Sequence, residues 1–192
     1  MSPESLIAKA KQYKMGLIIG GVILLGLFVG LPLLIESSKD TTPSRVAAFQ
    51  SHLDKLSSLV SKQAPKLSSP DLENQTTNLI VILSGGSSTV SAYITDTYGS
   101  AEPDATIAAK DADSIAKIET SIAESRLSNT YEKTFRDLVT LELAGMYREA
   151  TALSGKTGTK GKQMFSDIAG QIKVSHDGFV KLAQQDESSQ DN

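Results

Sequence analysis

Two histidines, His52 and His176, and two glutamates seven residues apart, Glu142 and Glu149, are the side chains of this sequence that most invite chemistry. Imidazole with carboxylates is the donor set of a ferritin-like di-metal bundle. That site takes a Glu from each of two helices and a Glu-x-x-His from each of two others. His176, Glu142 and Glu149 are the candidate metal ligands on this view. The spacing departs from the pattern, because Lys173 stands three residues before His176 and Phe49 three before His52. The plainer expectation is a half-buried imidazole bonded to a neighbouring Glu, with the other carboxylates solvated and no cofactor.

Two further motifs point toward enzymes and lose on context. "SGKTG" at 154–158 suggests a phosphate-binding loop, which needs GxxxxGK[ST] after a strand. The required first glycine falls on Ala150, and a helical pattern precedes it. Lys156-Thr157-Gly158 with Ser114-x-x-Lys117 suggests the penicillin-binding set, but its S-D-N element is missing. A Ser-His-Asp triad has serines to draw on, yet no nucleophile elbow occurs. The chain therefore reads as non-enzymatic, with no catalytic residue assigned.

The elements that would carry these residues are helices almost throughout. Pro43 opens the first, with Val46, Phe49, Leu53, Leu56 and Val60 on one stripe, and Pro65 closes it. Ser69 caps the second, ahead of Pro70 and the acidic Asp71 and Glu73. Its stripe is Leu72, Thr76, Leu79, Leu83, Val90 and Ile94. "LIVIL" at 79–83 could be a buried strand, but its flanks keep helical phase and no second strand exists to pair with it. Gly85-Gly86 predicts a kink or a close helix crossing, and Gly99 a C-cap.

Pro103 opens a third helix with a thin inward stripe of Ala108, Ala112, Ile115, Ile118 and Ile122, which suits the bundle's edge. Asn129 with Glu132 resembles a capping box for the fourth. There Phe135, Val139, Leu143, Met146, Ala150 and Leu153 face inward. "SGKTGTKGK" is a loop by composition. The fifth helix runs from about Gln163 to Gln184, with Phe165, Ile168, Ile172, Phe179 and Leu182 inward. Short connections favour antiparallel neighbours, hence an all-α, up-and-down four- or five-helix bundle.

Ahead of the bundle lies an uncharged run from Met15 to Ile35, 21 residues between Lys14 and Glu36. As a helix it is about 32 Å long, enough for a hydrocarbon core of ~30 Å. "IESS" after it is a poor match to a small-x-small cleavage site, which favours a retained anchor over a removed signal. Gly16 and Gly20 form one GxxxG pair, and Gly26 and Gly30 form a second. Such pairs are expected at a helix-packing face and offer a route to a weak homodimer, though these glycines are also ordinary anchor composition. Lys9, Lys11 and Lys14 against Glu4 place the N-terminus inside. The expected organisation is a cytoplasmic segment 1–14, a transmembrane helix 15–35 in the lipid bilayer, a linker 36–42, an extracytoplasmic bundle 43–185 and a disordered polar tail 186–192.

Charge narrows the partners. The chain carries −3, and the first 35 residues hold three Lys and one Glu, so the remainder carries −5. Nucleic acid needs a clustered basic surface and is not expected as a partner. Tryptophan is absent, which disfavours a sugar-stacking or aromatic-cage site. No cysteine is present, so no disulfide staples the domain.

The stretch "YEKTFRDLVTLELAGMYREATAL", with "MFSDIAGQIKVSHDGFVKLAQQ" after the loop, resembles the closing helix pair of ferritin-like, exported bacterial bundles of unknown function. The layout is also similar to uncharacterised single-pass membrane proteins of small-genome bacteria. The likeness covers residues 131–185 and implies architecture only, since the Glu-x-x-His ligands do not carry over. The leading expectation is a membrane-anchored binding or scaffolding protein of the cell envelope, with a protein partner in a groove or on the thin face of the third helix. The alternatives are a metal-binding bundle and an extracytoplasmic sensory domain.

Overall fold

The computed structural model describes residues 42–126 and 130–190, the side chains of 187–190 excepted. The described residues belong to one compact unit. The segment 1–14, the expected span 15–35 and Asn129 lie outside the described residues. So do all four glycines assigned to helix packing in that span, Gly16, Gly20, Gly26 and Gly30. Among the described residues there is no strand, and no helix is long and apolar enough to cross a membrane.

Five helices make up the bundle: α1 (Thr42–Gln63), α2 (Pro70–Tyr98), α3 (Ala105–Ser125), α4 (Tyr131–Ser154) and α5 (Thr159–Gln190). A 3-10 turn, Ala64–Lys66, follows α1 and contains Pro65. Pairings between helices fix their directions. Lys55 meets Asp111 and Lys62 meets Glu119, so α1 and α3 run parallel. His52 meets Glu142 and Gln63 meets Tyr131, so α1 and α4 run antiparallel. Gln75 reaches Ser175 and Asp96 reaches Lys160, so α2 and α5 run antiparallel. Successive helices therefore alternate up and down.

α1 packs on α2, α2 on α5 and α5 on α4, while α3 touches both α1 and α4. The predicted stripes supply the core of this ring. Phe49, Leu53, Leu56, Leu79, Leu83, Phe135, Leu143, Phe165, Ile172 and Phe179 are all fully buried. Each such side chain contributes about 1.5–3 kcal/mol through removal from water. Phe165 joins three helices at one level, with Phe49 edge-on at 5.8 Å and Tyr93 edge-on at 6.1 Å between ring centroids.

The helix ends follow their local chemistry. Ser69 Oγ accepts from the Leu72 N–H, and Asp104 accepts from Thr106 and Ile107 at the start of α3. Gly99 closes α2 at φ +73°, a left-handed conformation that suits glycine. "LIVIL" is helical, and α2 runs unbroken through Gly85-Gly86. A Cβ at Gly86 would make ordinary contacts, 3.6 Å from Leu53 and 3.9 Å from Ile168, and Gly85 faces open space, so the helix neither kinks there nor needs a glycine for a close crossing.

Four expectations need correction. Ala112 is exposed, and Asp111 takes the inward position one residue earlier. Thr130, not Asn129, stands at the N-cap of α4, and Glu132 accepts from the backbone N–H groups of Ser68 and Ser69, which ties α4 to the start of α2. The loop after α4 is shorter than its composition implies, because α5 starts at Thr159 and the Lys162 N–H already bonds Gly158 O. At the far end α5 continues to Gln190, past the expected start of the tail at 186, and Asp186 pairs with the buried Arg136 of α4.

Candidate functional site: a buried ionic cluster under α3

On α1, Arg45, Phe49, His52 and Leu56 follow one another at spacings of four and three, so two basic residues share the inward stripe. On α4 the stripe Phe135, Val139, Glu142, Met146, Glu149 and Leu153 keeps the same alternation and contains both glutamates. α3 continues the arrangement, since Asp111, Ile115, Ile118 and Ile122 lie on one face. Where these three stripes meet, the apolar core gives way to a charged cluster.

His52 sits at its centre, between two carboxylates from different helices. Its Nδ1 is 2.8 Å from Asp111 Oδ1, and its Nε2 is 3.2 Å from Glu142 Oε2. The three side chains are only 14 %, 9 % and 6 % exposed, so solvent screens these contacts little. The alignment is imperfect: His52 Nε2 and Asp111 Oδ1 have no partner within hydrogen-bond geometry. The pairing is therefore mainly electrostatic. Lys55 approaches the other oxygen of Asp111 at 2.5 Å. Arg45 is buried, and its Nε has no hydrogen-bond partner.

Burial alone would discharge the imidazole, but Asp111 and Glu142 outweigh it and push the pKa of His52 up to about 10. His52 is thus an imidazolium at neutral pH. Asp111 shows the reciprocal effect. Burial raises its pKa, and His52 with Lys55 more than reverses that, so the carboxyl ends below its ordinary range. Glu149 is pushed up by burial, against the pull of His52 and Arg45.

The other sequence candidates separate. Glu142 and Glu149 belong to this cluster and share it with His52, whereas His176 lies on α5 with Asp177 of its own helix at 3.1 Å. Asp177 also takes Lys173 at 2.5 Å, an exposed helical pair that lowers the Asp177 pKa and raises that of Lys173. Among the described residues, no group of three or more His, Cys, Asp or Glu side chains converges on a point that could hold a metal. The two nitrogens of His52 face opposite ways, toward different carboxylates, which suits a bridging cation better than a ligand. Lys117 pairs with Asp113 on α3, and Lys156-Thr157-Gly158 forms the turn between α4 and α5 rather than a strand.

Arg45, His52, Lys55 and Asp111 complete the cluster and lie outside the ligand set expected from the sequence. For Arg45, His52 and Asp111 the signal is a charge standing on an apolar stripe at helical spacing, and Lys55 lies one residue off that stripe. For Asp111 that signal is faint, because "KDADS" permits two helical phases, one with Ala112 inward and one with Asp111 inward. Comparison with known protein families, curated proteins and solved structures finds no match to this chain.

Proposed function

We propose that this chain is a single-pass membrane protein whose helical bundle stands outside the cytoplasm and works by binding or scaffolding at a bacterial cell envelope, not by catalysis. The observation that carries the reading is the uncharged 21-residue run 15–35, with a lysine-rich segment before it and an acidic remainder after it. The likeness of residues 131–185 to exported helical bundles supports the same placement. A well-filled core suits a rigid display module. The finer architecture that follows is a transmembrane helix, a short linker and an antiparallel bundle, with Gly16, Gly20, Gly26 and Gly30 available for weak self-association in the bilayer.

The test is expression of the full chain, followed by alkaline carbonate washing of membranes and protease treatment of intact cells stripped of any outer barrier. Retention in the washed membrane with digestion of the bundle fits the proposal. Release into the wash, or full protection of a membrane-retained bundle, contradicts it. Cross-linking in the same membranes then reads out partners, and a chain that cross-links to nothing, itself included, argues against scaffolding.

A further inference from the structure

We propose that Asp111 is a built-in occupant of a carboxylate-binding site. The site is formed by Arg45, His52 and Lys55 on α1 beside Glu142 and Glu149 on α4, and the N-terminal half of α3 is the flap that fills it. The site belongs to the bundle alone and does not depend on where the chain sits in the cell.

The two halves of α3 are attached differently. Residues 115–125 bury Ile115, Ile118 and Ile122, and Lys62 pairs with Glu119 beside them. Residues 105–114 bury no side chain fully. Asp111 holds that half to α1, through His52 and Lys55. Just before it, Gly99 at φ +73° and the 99–104 connection join it to α2.

Beneath the flap lies a lining that a permanent apolar seam does not need. Arg45 Nε is buried without a hydrogen-bond partner, and the two nitrogens of His52 meet their carboxylates at 2.8 and 3.2 Å as ion pairs, so the α1 side of the cluster is held by charge and not by fixed hydrogen bonds. With Asp111 lifted away, three cations would face two carboxyls. Of those, Glu142 already neighbours the far nitrogen of His52, and Glu149 is biased by burial toward its uncharged form. The place between His52 Nδ1 and Lys55 Nζ is cationic. Asp111 itself shows that a carboxylate fits there, at 2.8 and 2.5 Å. A free small carboxylate, or an acidic side chain of a protein partner, carries the chemistry to replace it.

The experiment uses the full-length chain in detergent, with Asp111→Ala to empty the site. Thermal melting is followed against sodium acetate, sodium chloride at equal ionic strength, and a hexaglutamate peptide. The expected result is a rise in melting temperature of the variant with a carboxylate but not with chloride, and a much smaller rise in the parent. Rescue by acetate assigns a free carboxylate, and rescue by the peptide alone assigns a partner's acidic segment. Rescue by neither overturns the proposal. Hydrogen exchange on the unaltered chain tests the flap even if the variant fails to fold. Amides of 105–114 should exchange at least about tenfold faster than those of 115–125, and equal protection across α3 overturns it.

Discussion

The ring of α1, α2, α5 and α4 and the helix laid over it are held by different physics. The ring is bound by aromatic and aliphatic side chains removed from water, with Phe165 touching Phe49 and Tyr93 at its centre. α3 brings three isoleucines in its second half and a single buried-facing carboxylate in its first. Hydrophobic burial is non-directional and tolerates small shifts. A charge cluster is all or nothing, since losing one member leaves the others uncompensated. The ring should therefore set global stability, and the cluster should set where α3 lies.

Four substitutions test that contrast. Phe165→Ala removes the aromatic that joins α1, α2 and α5, and should cost about 3–5 kcal/mol, read as a global loss in denaturant unfolding. A loss below about 1 kcal/mol would deny the ring its role. His52→Ala leaves Asp111 and Glu142 without their shared cation and should cost about 2–3 kcal/mol. Its signature is local, with NMR shift changes concentrated in 105–114 and few in α2. Shift changes spread evenly over all five helices would erase the distinction between the two regions.

Gly161→Ala probes a close approach between the start of α5 and α2. The added Cβ would lie 2.5 Å from Thr157 Cβ and 2.6 Å from Tyr93 Oη, so Thr157 and Tyr93 must give way or the backbone must shift. Overpacking of this kind costs about 1–3 kcal/mol, and an unchanged unfolding midpoint would refute the close approach. The smallest effect belongs to Lys62→Ala. Its pair with Glu119 is 3.3 Å long and both side chains are well exposed. The expected loss is at most about 0.5 kcal/mol. A larger loss would mean that surface pairs, and not the buried cluster, fasten α3.

Much of the ring was legible from spacing alone. The stripes of α1 and α4, the Ser69 and Gly99 caps and the helical reading of "LIVIL" follow from periodicity and turn chemistry that act within a few residues. The cluster was legible only in part. Glu142 and Glu149 stood out as charges on an apolar stripe, but their partner is His52 of α1, far from Glu142 in sequence, not His176. Which imidazole meets a carboxylate depends on helix register across the bundle, and a one-dimensional pattern does not contain it. Asp111 was missed because a thin stripe leaves the helix phase undetermined. The link from Glu132 to Ser68 and Ser69 was not legible, because it joins residues more than sixty apart in sequence.

Stability against pH, measured in the parent chain and in His52→Ala, reads the charge on the buried imidazole. The folded-state pKa of His52, about 10, lies above its unfolded value of 6.5. The contribution of His52 is therefore fully present below about pH 6.5 and is lost as pH rises through about 10. Thermal melts of the full chain between about pH 6.5 and about pH 9 should show the parent losing stability steadily while the variant changes little. Parallel curves would mean that no buried imidazolium fastens the first half of α3 to the bundle.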